Sequence, residues 1–185
     1  ADPLLGTWVH GRYEIIRELG WGSLGRVYMA RDHLRKAGGD VVALKVIRLD
    51  RLSEQSVAFL RYEFRALSGL RHPNVTRVYD LDVIPGAGAL FFTLDYLPGR
   101  TIVEVARDQG WKASLPLFVQ TLRALAFVHA RGLIHMDVKP KNLLVLSEET
   151  LPRVQLLDFH LARDRDTRSQ GTMRGTVAYM APEVV

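Results

Sequence analysis

The sequence predicts a bilobal α+β fold, in which an antiparallel β-sheet lobe with one helix precedes a mainly α-helical lobe. Glycine-bounded segments rich in β-branched and aromatic residues fill the first part of the chain. After the Pro-Gly pair in "LPGR" (97–100), the apolar periodicity changes from about two to about 3.6 residues. We therefore assign residues 1–96 to an N-terminal lobe and residues 97–185 to a hinge and a partial C-terminal lobe.

Three strands, a helix and a further strand pair are predicted for the N-terminal lobe. The helix covers residues 54–68, with Ser53 as its N-cap and Gly69 just past its end. Its apolar side chains recur at helical spacing, at Val57, Leu60, Phe64 and Leu67, so one stripe should face the sheet. The predicted strands are "YEIIREL" (13–19), "RVYMARD" (26–32), "VVALKVI" (41–47), "TRVYDLDVI" (76–84) and "ALFFTLDYL" (89–97).

The longest predicted helix of the C-terminal lobe covers residues 115–131. Ser114 is the expected cap and Pro116 suits the first turn. Two short strands, "LLVL" (143–146) and "VQLLDF" (154–159), follow it. The apolar face of this helix consists of Leu115, Phe118, Leu122, Leu125 and Ala126.

Composition excludes several classes of protein. The 185 residues are 48% hydrophobic and 24% charged, as in ordinary globular chains. No apolar run approaches the roughly 20 residues of a membrane span, so we expect no membrane segment. The absence of cysteine excludes disulfides and thiolate metal sites and fits a reducing cytoplasm. The net charge of +5 comes from scattered arginines, which favours mild surface basicity over a nucleic-acid partner.

A glycine-rich segment, "LGWGSLGRVY" (19–28), places Gly20, Gly22 and Gly25 in the pattern G-x-G-x-x-G. Glycine lets a backbone approach phosphates closely, although such a hairpin often binds nothing. A strand follows rather than a helix, which argues against a dinucleotide-binding turn. No Gly-Lys-Ser/Thr follows, so the segment is not a Walker A loop. A flap over phosphates remains.

Lys45 lies in the middle of an apolar strand, where a lysine is costly unless it is paired. Taken alone, it could equally be a lysine at a sheet edge. Glu63 lies close to the apolar stripe of the predicted helix and also needs a partner. We therefore predict a Lys45–Glu63 pair, which leaves donors of Lys45 for phosphate oxygens.

The charged loop "HMDVKPKN" (135–142) predicts phosphoryl transfer. Asp137 can orient or deprotonate an attacking hydroxyl, and Lys139 can neutralise a transferring phosphoryl group. Asn142 offers an amide oxygen to a metal, and Asp158, just after a buried strand, offers a carboxylate for Mg²⁺. Each group alone could belong to a polar turn, but their joint order favours chemistry.

From about Tyr13 to Glu183, these motifs together resemble a eukaryotic-type (Hanks-type) Ser/Thr protein kinase catalytic domain, and Ala181-Pro182-Glu183 completes the pattern. The resemblance implies a protein-kinase-like fold, ATP with Mg²⁺ (or Mn²⁺) as cofactors, and a protein substrate. Lys139 and "GTVAYMAPE" (175–183) have the Ser/Thr form, in which Thr176 would contact Asp137 and Lys139. The compact segment is typical of bacterial members.

The resemblance also implies a set of nucleotide contacts. The adenine ring would lie against Val27, Ala43 and Leu144, with Leu94 at the back of the pocket. The full set of implied nucleotide-binding residues is Gly20, Gly22, Gly25, Val27, Ala43, Lys45, Leu94, Leu144 and, through their backbone, Asp95 and Leu97.

Three features depart from the family pattern. Met136 replaces an arginine that in the family reads an activating phosphate, so no such switch is expected. His160 replaces the glycine of Asp-Phe-Gly and could cost of order 1 kcal/mol of backbone strain. The chain ends at "APEVV", which suggests C-terminal truncation and predicts self-association through exposed apolar surface.

Two functional readings therefore remain open. The first is a protein serine/threonine kinase, because a pure scaffold has no physical need for all six charged and amide groups of Lys45, Glu63, Asp137, Lys139, Asn142 and Asp158. The alternative, favoured by His160 and by the truncation, is a pseudokinase that binds nucleotide or acts as a scaffold with little phosphotransfer. A kinase acting on small molecules is disfavoured, because such relatives lack the Ala-Pro-Glu segment.

Overall fold

A computed structural model of the chain describes residues 2–22, 25–36, 39–51, 54–147, 152–157, 163–164 and 176–179. The chain forms two compact units, Ala1–Ser68 with Arg77–Tyr96 and Gly69–Thr76 with Leu97–Val185. Within the described ranges, the first unit holds an antiparallel sheet and an α-helix, and the second holds two α-helices and short strands. The predicted α+β class is confirmed.

The first unit is built on a six-stranded sheet whose neighbouring strands are all antiparallel. The strand order is β1-β2-β3-β4-β6-β5. One face carries a buried cluster that includes Tyr13, Ile15, Tyr28, Leu44 and Phe91. The elements are β1 (Trp8–Val9), β2 (Tyr13–Gly22), β3 (Gly25–Asp32), β4 (Val41–Arg48), a 3₁₀ turn (Leu49–Arg51), α1 (Glu54–Ser68), β5 (Val78–Ile84) and β6 (Ala89–Asp95).

Helix α1 has the predicted bounds. Glu54 lies in its first turn and Arg65 in its last, which complements the helix dipole. Leu67 of the predicted apolar stripe is buried. The predicted cap Ser53 lies outside the described residues.

Residues 69–76 were predicted to lie in the N-terminal lobe, but they belong to the second unit. Val75 forms a bridge with Leu156, and the Thr76 amide donates to the Leu156 carbonyl at 3.1 Å. The Asn74 side chain donates to the Val154 carbonyl at 2.8 Å. This segment thus pairs with the end of a strand far along the chain.

The described part of the second unit contains two α-helices and two small sheets, of order β10-β9-β7 and β11-β8. Its elements are β7 (Arg100–Thr101), α2 (Ile102–Gln109), α3 (Trp111–His129), β8 (Leu133–Ile134), a 3₁₀ turn (Pro140–Asn142), β9 (Leu143–Leu146), β10 (Arg153–Leu156), β11 (Arg163–Asp164) and a 3₁₀ turn (Val177–Tyr179).

The predicted start of the long helix is wrong. Helix α3 begins at Trp111, because Gly110, with φ of +80°, ends α2 and starts α3. Ser114 is therefore a buried helical residue whose hydroxyl donates to the Gly110 carbonyl at 3.3 Å. Pro116 lies inside the helix rather than in its first turn.

Helix α3 buries a different stripe from the apolar one seen in the sequence. The buried side chains are mostly small, and they are Ser114, Leu117, Thr121, Ala124 and Val128. Leu115, Phe118 and Leu122, from the predicted apolar face, are exposed. Among the described residues, this face of α3 therefore presents apolar surface to solvent.

Candidate active site

One face of the six-stranded sheet carries the predicted nucleotide-binding side chains of the first unit. Val27 lies opposite Lys45, and Lys45 lies opposite Phe92 on the next strand. Ala43 lies opposite Leu94 in the same way. Because side chains alternate along a strand and cross-strand partners share a face, all five lie on one side of the sheet.

Lys45 is buried on this face, with 3% of its surface exposed. Its ammonium lies 5.7 Å from the centroid of the Phe92 ring. Glu63, its predicted partner, lies in the middle of α1. The Glu63 side chain lies outside the described part of the chain, so the Lys45–Glu63 pair stays a prediction.

The glycine-rich segment is the hairpin formed by β2 and β3. Gly20 pairs with Val27, and Gly22 pairs with Gly25. The three glycines therefore lie on the Val27 side of the sheet, and at these three positions the hairpin presents backbone without a side chain. Such a surface permits the close approach of a phosphate.

At two of these positions, the structure explains why glycine is required. Gly20 has φ of +150°, which a residue with a β-carbon rarely adopts. At Gly25, an added β-carbon would lie 1.9 Å from the carbonyl oxygen of Val46 on β4. The hairpin is packed so closely against β4 that only glycine fits there.

The predicted hinge residues lie at the end of β6 and just beyond it. The Asp95 amide donates to the Arg77 carbonyl at 3.1 Å. Its carboxylate accepts hydrogen bonds from the Arg77 amide at 3.1 Å and from the Tyr79 hydroxyl. Leu97, the first residue after the boundary, is half-buried.

Leu144, the remaining predicted adenine contact, lies in β9 of the second unit. It is half-buried and lies opposite Gln155 of β10 and Thr101 of β7. Its position in the central strand of the small sheet fixes its backbone from both sides.

Asp137 lies at the centre of the catalytic loop (residues 135–142) and is only 4% exposed. One carboxylate oxygen accepts hydrogen bonds from the Thr176 amide at 3.0 Å and the Thr176 hydroxyl at 2.8 Å. The other lies 2.6 Å from the Lys139 ammonium. Lys139 also donates to the Thr176 hydroxyl at 2.8 Å, so the contacts implied by the resemblance are present.

The Asp137 carboxyl is held in its charged form. Burial alone would raise its pKa, but hydrogen bonds from Lys139 and Thr176, together with the positive charge of Lys139, outweigh burial and lower the pKa below its usual value. At neutral pH, Asp137 is therefore an ionised hydrogen-bond acceptor.

Asn142 ends the 3₁₀ turn and is oriented by Asp137. Its amide nitrogen donates to the Asp137 carbonyl at 2.8 Å and to the Asp137 carboxylate at 3.3 Å. Because the nitrogen is used in this way, the amide oxygen is left as an acceptor, and no described residue donates a hydrogen bond to it. A hard, fixed oxygen of this kind fits Mg²⁺.

His135 connects the catalytic loop to the residue before Asp158. Its Nδ1 accepts a hydrogen bond from the Asp137 amide at 3.3 Å, so Nε2 is the nitrogen that donates to the Leu157 carbonyl at 2.8 Å. The Leu157 amide donates to the Asn142 carbonyl at 2.8 Å. Both backbone groups of Leu157 are therefore held by the loop.

This hydrogen-bonding role of His135 was not predicted from the sequence. The only local signal is its position two residues before Asp137. The predicted metal ligand Asp158, the neighbouring His160 and the Ala181-Pro182-Glu183 motif all lie outside the described residues. Within the residues that are described, no group of three or more acidic or histidine side chains could hold a metal ion.

Met136 has an unusual backbone conformation, with φ of +65°. A left-handed conformation at a residue with a β-carbon costs of order 1–3 kcal/mol and persists where the surroundings impose it. Its neighbours His135 and Asp137 are both buried and hydrogen-bonded, which provides that constraint.

Comparison with known proteins gives consistent results. The sequence model of a family described as "Protein kinase domain" matches residues 13–185. The DNA damage-responsive serine/threonine-protein kinase RqkA of Deinococcus radiodurans is 39% identical over 186 residues, covering 96% of this chain and 27% of that protein. CBL-interacting protein kinase 16 of Oryza sativa subsp. japonica is 39% identical over 193 residues, covering 100% of this chain and 41% of that protein.

A more distant bacterial relative, serine/threonine-protein kinase PrkC of Bacillus subtilis, is 28% identical over 187 residues, covering 97% of this chain and 28% of that protein. The chain thus spans well under half the length of each of these three relatives. None of the helices in the described ranges has the length and apolar character needed to cross a membrane.

Proposed function

Because the chain belongs to the protein kinase family, we propose that it carries the catalytic residues for Mg²⁺-dependent transfer of the γ-phosphate of ATP to Ser and Thr hydroxyls of protein substrates. The observation that supports this most strongly is the buried, ionised Asp137 carboxylate held between Lys139 and Thr176. A turn that only connects two elements does not need a buried carboxylate with this many donors.

Asp137 acts on the attacking group. Its carboxylate accepts a hydrogen bond from the substrate hydroxyl, orients the oxygen for in-line attack and receives the proton as the new phosphate bond forms. Because its pKa is lowered, the carboxylate is ready to accept at neutral pH. A positioned acid–base group of this kind contributes about 10²- to 10⁴-fold to rate.

Lys139 acts on the transferring group. An ammonium has three donors, and two of them are directed to Asp137 and Thr176. The third is available for an oxygen of the phosphoryl group, whose developing charge it stabilises. Thr176 keeps the lysine and the carboxylate at a fixed separation.

The Asn142 amide oxygen and Asp158 are the proposed metal ligands. Mg²⁺, when bound, neutralises charge on the phosphate oxygens. The hydrogen bonds of Leu157 to His135 and Asn142 support this assignment, because they fix the backbone of the residue that precedes Asp158.

We assign the adenine ring to the sheet face of Val27, Ala43 and Leu94, with backbone hydrogen bonds at Asp95 and Leu97 and an apolar contact from Leu144. The phosphates are assigned to the backbone of the glycine-rich hairpin and to Lys45, which Glu63 would hold in place. The shared face of the first-unit side chains supports this set.

The test is transfer of labelled γ-phosphate to a basic protein by the longest natural chain that contains this segment. Wild type and an Asp137→Ala variant are compared with Mg²⁺ and with excess chelator, and the labelled product is analysed for phosphoserine and phosphothreonine. Thermal unfolding of both proteins checks that they are folded. We expect transfer only by wild type with Mg²⁺. A folded wild type that binds ATP and transfers nothing would identify a pseudokinase.

A further inference from the structure

The N-terminal residues contact the face of the sheet opposite to Val27 and Lys45. Arg26 and Tyr28 flank Val27 in β3, so their side chains point to that other face. The Asp2 carboxylate accepts hydrogen bonds from the Arg26 guanidinium, from the Tyr28 hydroxyl at 2.7 Å and from the Leu4 amide at 3.0 Å. The Asp2 side chain is 8% exposed.

The sheet itself fixes the position of Asp2. The Gly6 amide donates to the Ile15 carbonyl at 3.0 Å, and the Ile15 amide donates to the Thr7 carbonyl at 3.0 Å. Strand β1 then pairs with β2, and Leu4 packs against the buried cluster. Asp2 therefore belongs to a docked segment and has a defined position on the sheet face opposite to Val27 and Lys45.

Arg26 links Asp2 to the glycine-rich hairpin. It lies opposite Trp21, and its guanidinium lies 4.3 Å from the centroid of the Trp21 ring. The next pair towards the tip is Gly22 with Gly25, which has no side chains. Trp21 is 70% exposed, so Arg26 and its partner Asp2 supply the anchored side-chain contact at this level of the hairpin.

We propose that Asp2 is a positioning residue for ATP binding, acting through Arg26 to fix the glycine-rich hairpin from the face opposite to the phosphates. This inference rests on the proposed nucleotide-binding role of the hairpin. Arg26 lies between Gly25, whose backbone packs against β4, and Val27, which lies opposite Lys45. A shift of Arg26 therefore displaces backbone on the phosphate-facing side while the catalytic loop keeps its own hydrogen bonds.

The decisive variant is Asp2→Asn in the longest natural chain, because it removes the charge and keeps the size. The KM for ATP should rise about three- to tenfold, which is the change expected when one hydrogen bond is lost or weakened. Because the hairpin contacts ATP equally in the ground state and the transition state, kcat should stay within about twofold. Asp2→Glu should restore part of the affinity. A general loss of stability would not raise the KM for ATP while leaving kcat almost unchanged.

The matched control is Asp50→Asn, which removes another carboxylate paired with an arginine of this unit. Asp50 binds Arg48 at 2.6 Å, and both side chains are exposed. Its ATP KM should equal that of wild type. Because Asp2 acts through Arg26, adding Asp2→Asn to an Arg26→Gln variant should produce no further rise in KM.

An unchanged ATP KM in Asp2→Asn, a fall in kcat alone, or fully additive effects of Asp2→Asn and Arg26→Gln would overturn the proposal. Measuring ATP affinity by calorimetry tests this proposal separately from the proposed function, because binding can be measured without phosphate transfer. If wild type binds ATP and transfers no phosphate, the same three- to tenfold loss of affinity in Asp2→Asn is still expected. A wild type that does not bind ATP would overturn both.

Discussion

The catalytic loop and the glycine-rich hairpin are built in opposite ways. In the loop, Asp137 is 4% exposed and receives hydrogen bonds from Lys139, Thr176 and Asn142. In the hairpin, the described positions assigned to phosphates (Gly20, Gly22 and Gly25) offer backbone without a side chain, and Trp21 on the other face is 70% exposed. One region is held by side chains that contact each other, and the other by strand pairing and a single arginine.

This difference matches what each region has to do under the proposed function. A proton acceptor must hold a fixed distance and angle to the reacting hydroxyl, since small displacements cost large factors in rate. A cover for phosphates needs close approach and must also open to release product. Changes in the loop should therefore lower kcat, and changes in the hairpin should mainly raise the KM for ATP.

Apart from changes at Asp137 itself, the largest effect is expected for Lys139→Ala. It removes both the phosphoryl contact and the cation beside Asp137, so kcat should fall about 10²- to 10³-fold with little change in ATP KM. Lys141→Ala is the matched control, because Lys141 is an exposed lysine of the same loop. Steady-state transfer assays give both parameters. Equal losses in the two variants would show that the loop depends on general positive charge rather than on the Asp137 contact.

Gly25→Ala should be the most damaging single change in the hairpin. The new β-carbon would lie 1.9 Å from the Val46 carbonyl, so β3 and β4 must separate. We expect a loss of about 1–3 kcal/mol of stability and a raised ATP KM. Gly39→Ala, where the added carbon meets nothing within 4 Å, should change neither. Thermal unfolding and ATP titration measure the two effects, and a Gly25→Ala variant as stable as Gly39→Ala would contradict the close packing.

A smaller effect tests the strain at Met136. Glycine costs nothing at φ of +65°. At Val138, which lacks a positive φ, glycine adds chain entropy in the unfolded state and also removes a side chain that is only 36% exposed. Val138→Gly should therefore lose at least about 0.5–1 kcal/mol of stability, and Met136→Gly should lose less or gain stability. Denaturant unfolding compares the two. A greater loss at Met136 would show that its side-chain packing outweighs the strain.

The smallest effect concerns pH. The folded pKa of Asp137 is lowered, so its ionised form stabilises the fold at neutral pH, and this contribution disappears as pH falls through the folded pKa. The stability difference between wild type and Asp137→Asn should be constant from about pH 5 to 8 and should shrink below about pH 4. A difference that changes between pH 6 and 8 would assign the titration to another group.

Local sequence patterns predicted much of this arrangement. Helix α1 has the predicted bounds, and β3 and β4 each begin or end within one residue of theirs. The loop from His135 to Asn142 could be located because its charged residues are close together in sequence and cannot form a regular helix around Pro140. For these elements, patterns confined to a few neighbouring residues were sufficient to predict the structure.

Features that depend on distant partners could not be predicted. The start of α3 depends on Gly110, which ends one helix and begins another, while the apolar pattern starts only at Leu115. The placement of residues 69–76 depends on Leu156, and the contact of Asp2 with Arg26 joins residues 24 apart. No spacing rule within a short window connects such pairs.

The most direct test of the central claim is a single-turnover measurement of phosphate transfer at saturating ATP and Mg²⁺, comparing wild type with Asp137→Asn. If Asp137 is the proton acceptor of a working kinase, the rate constant should fall by at least about 10²-fold while ATP affinity stays within twofold. A variant that retains more than a tenth of the wild-type rate would contradict the assignment of Asp137 and, with it, the proposed mechanism.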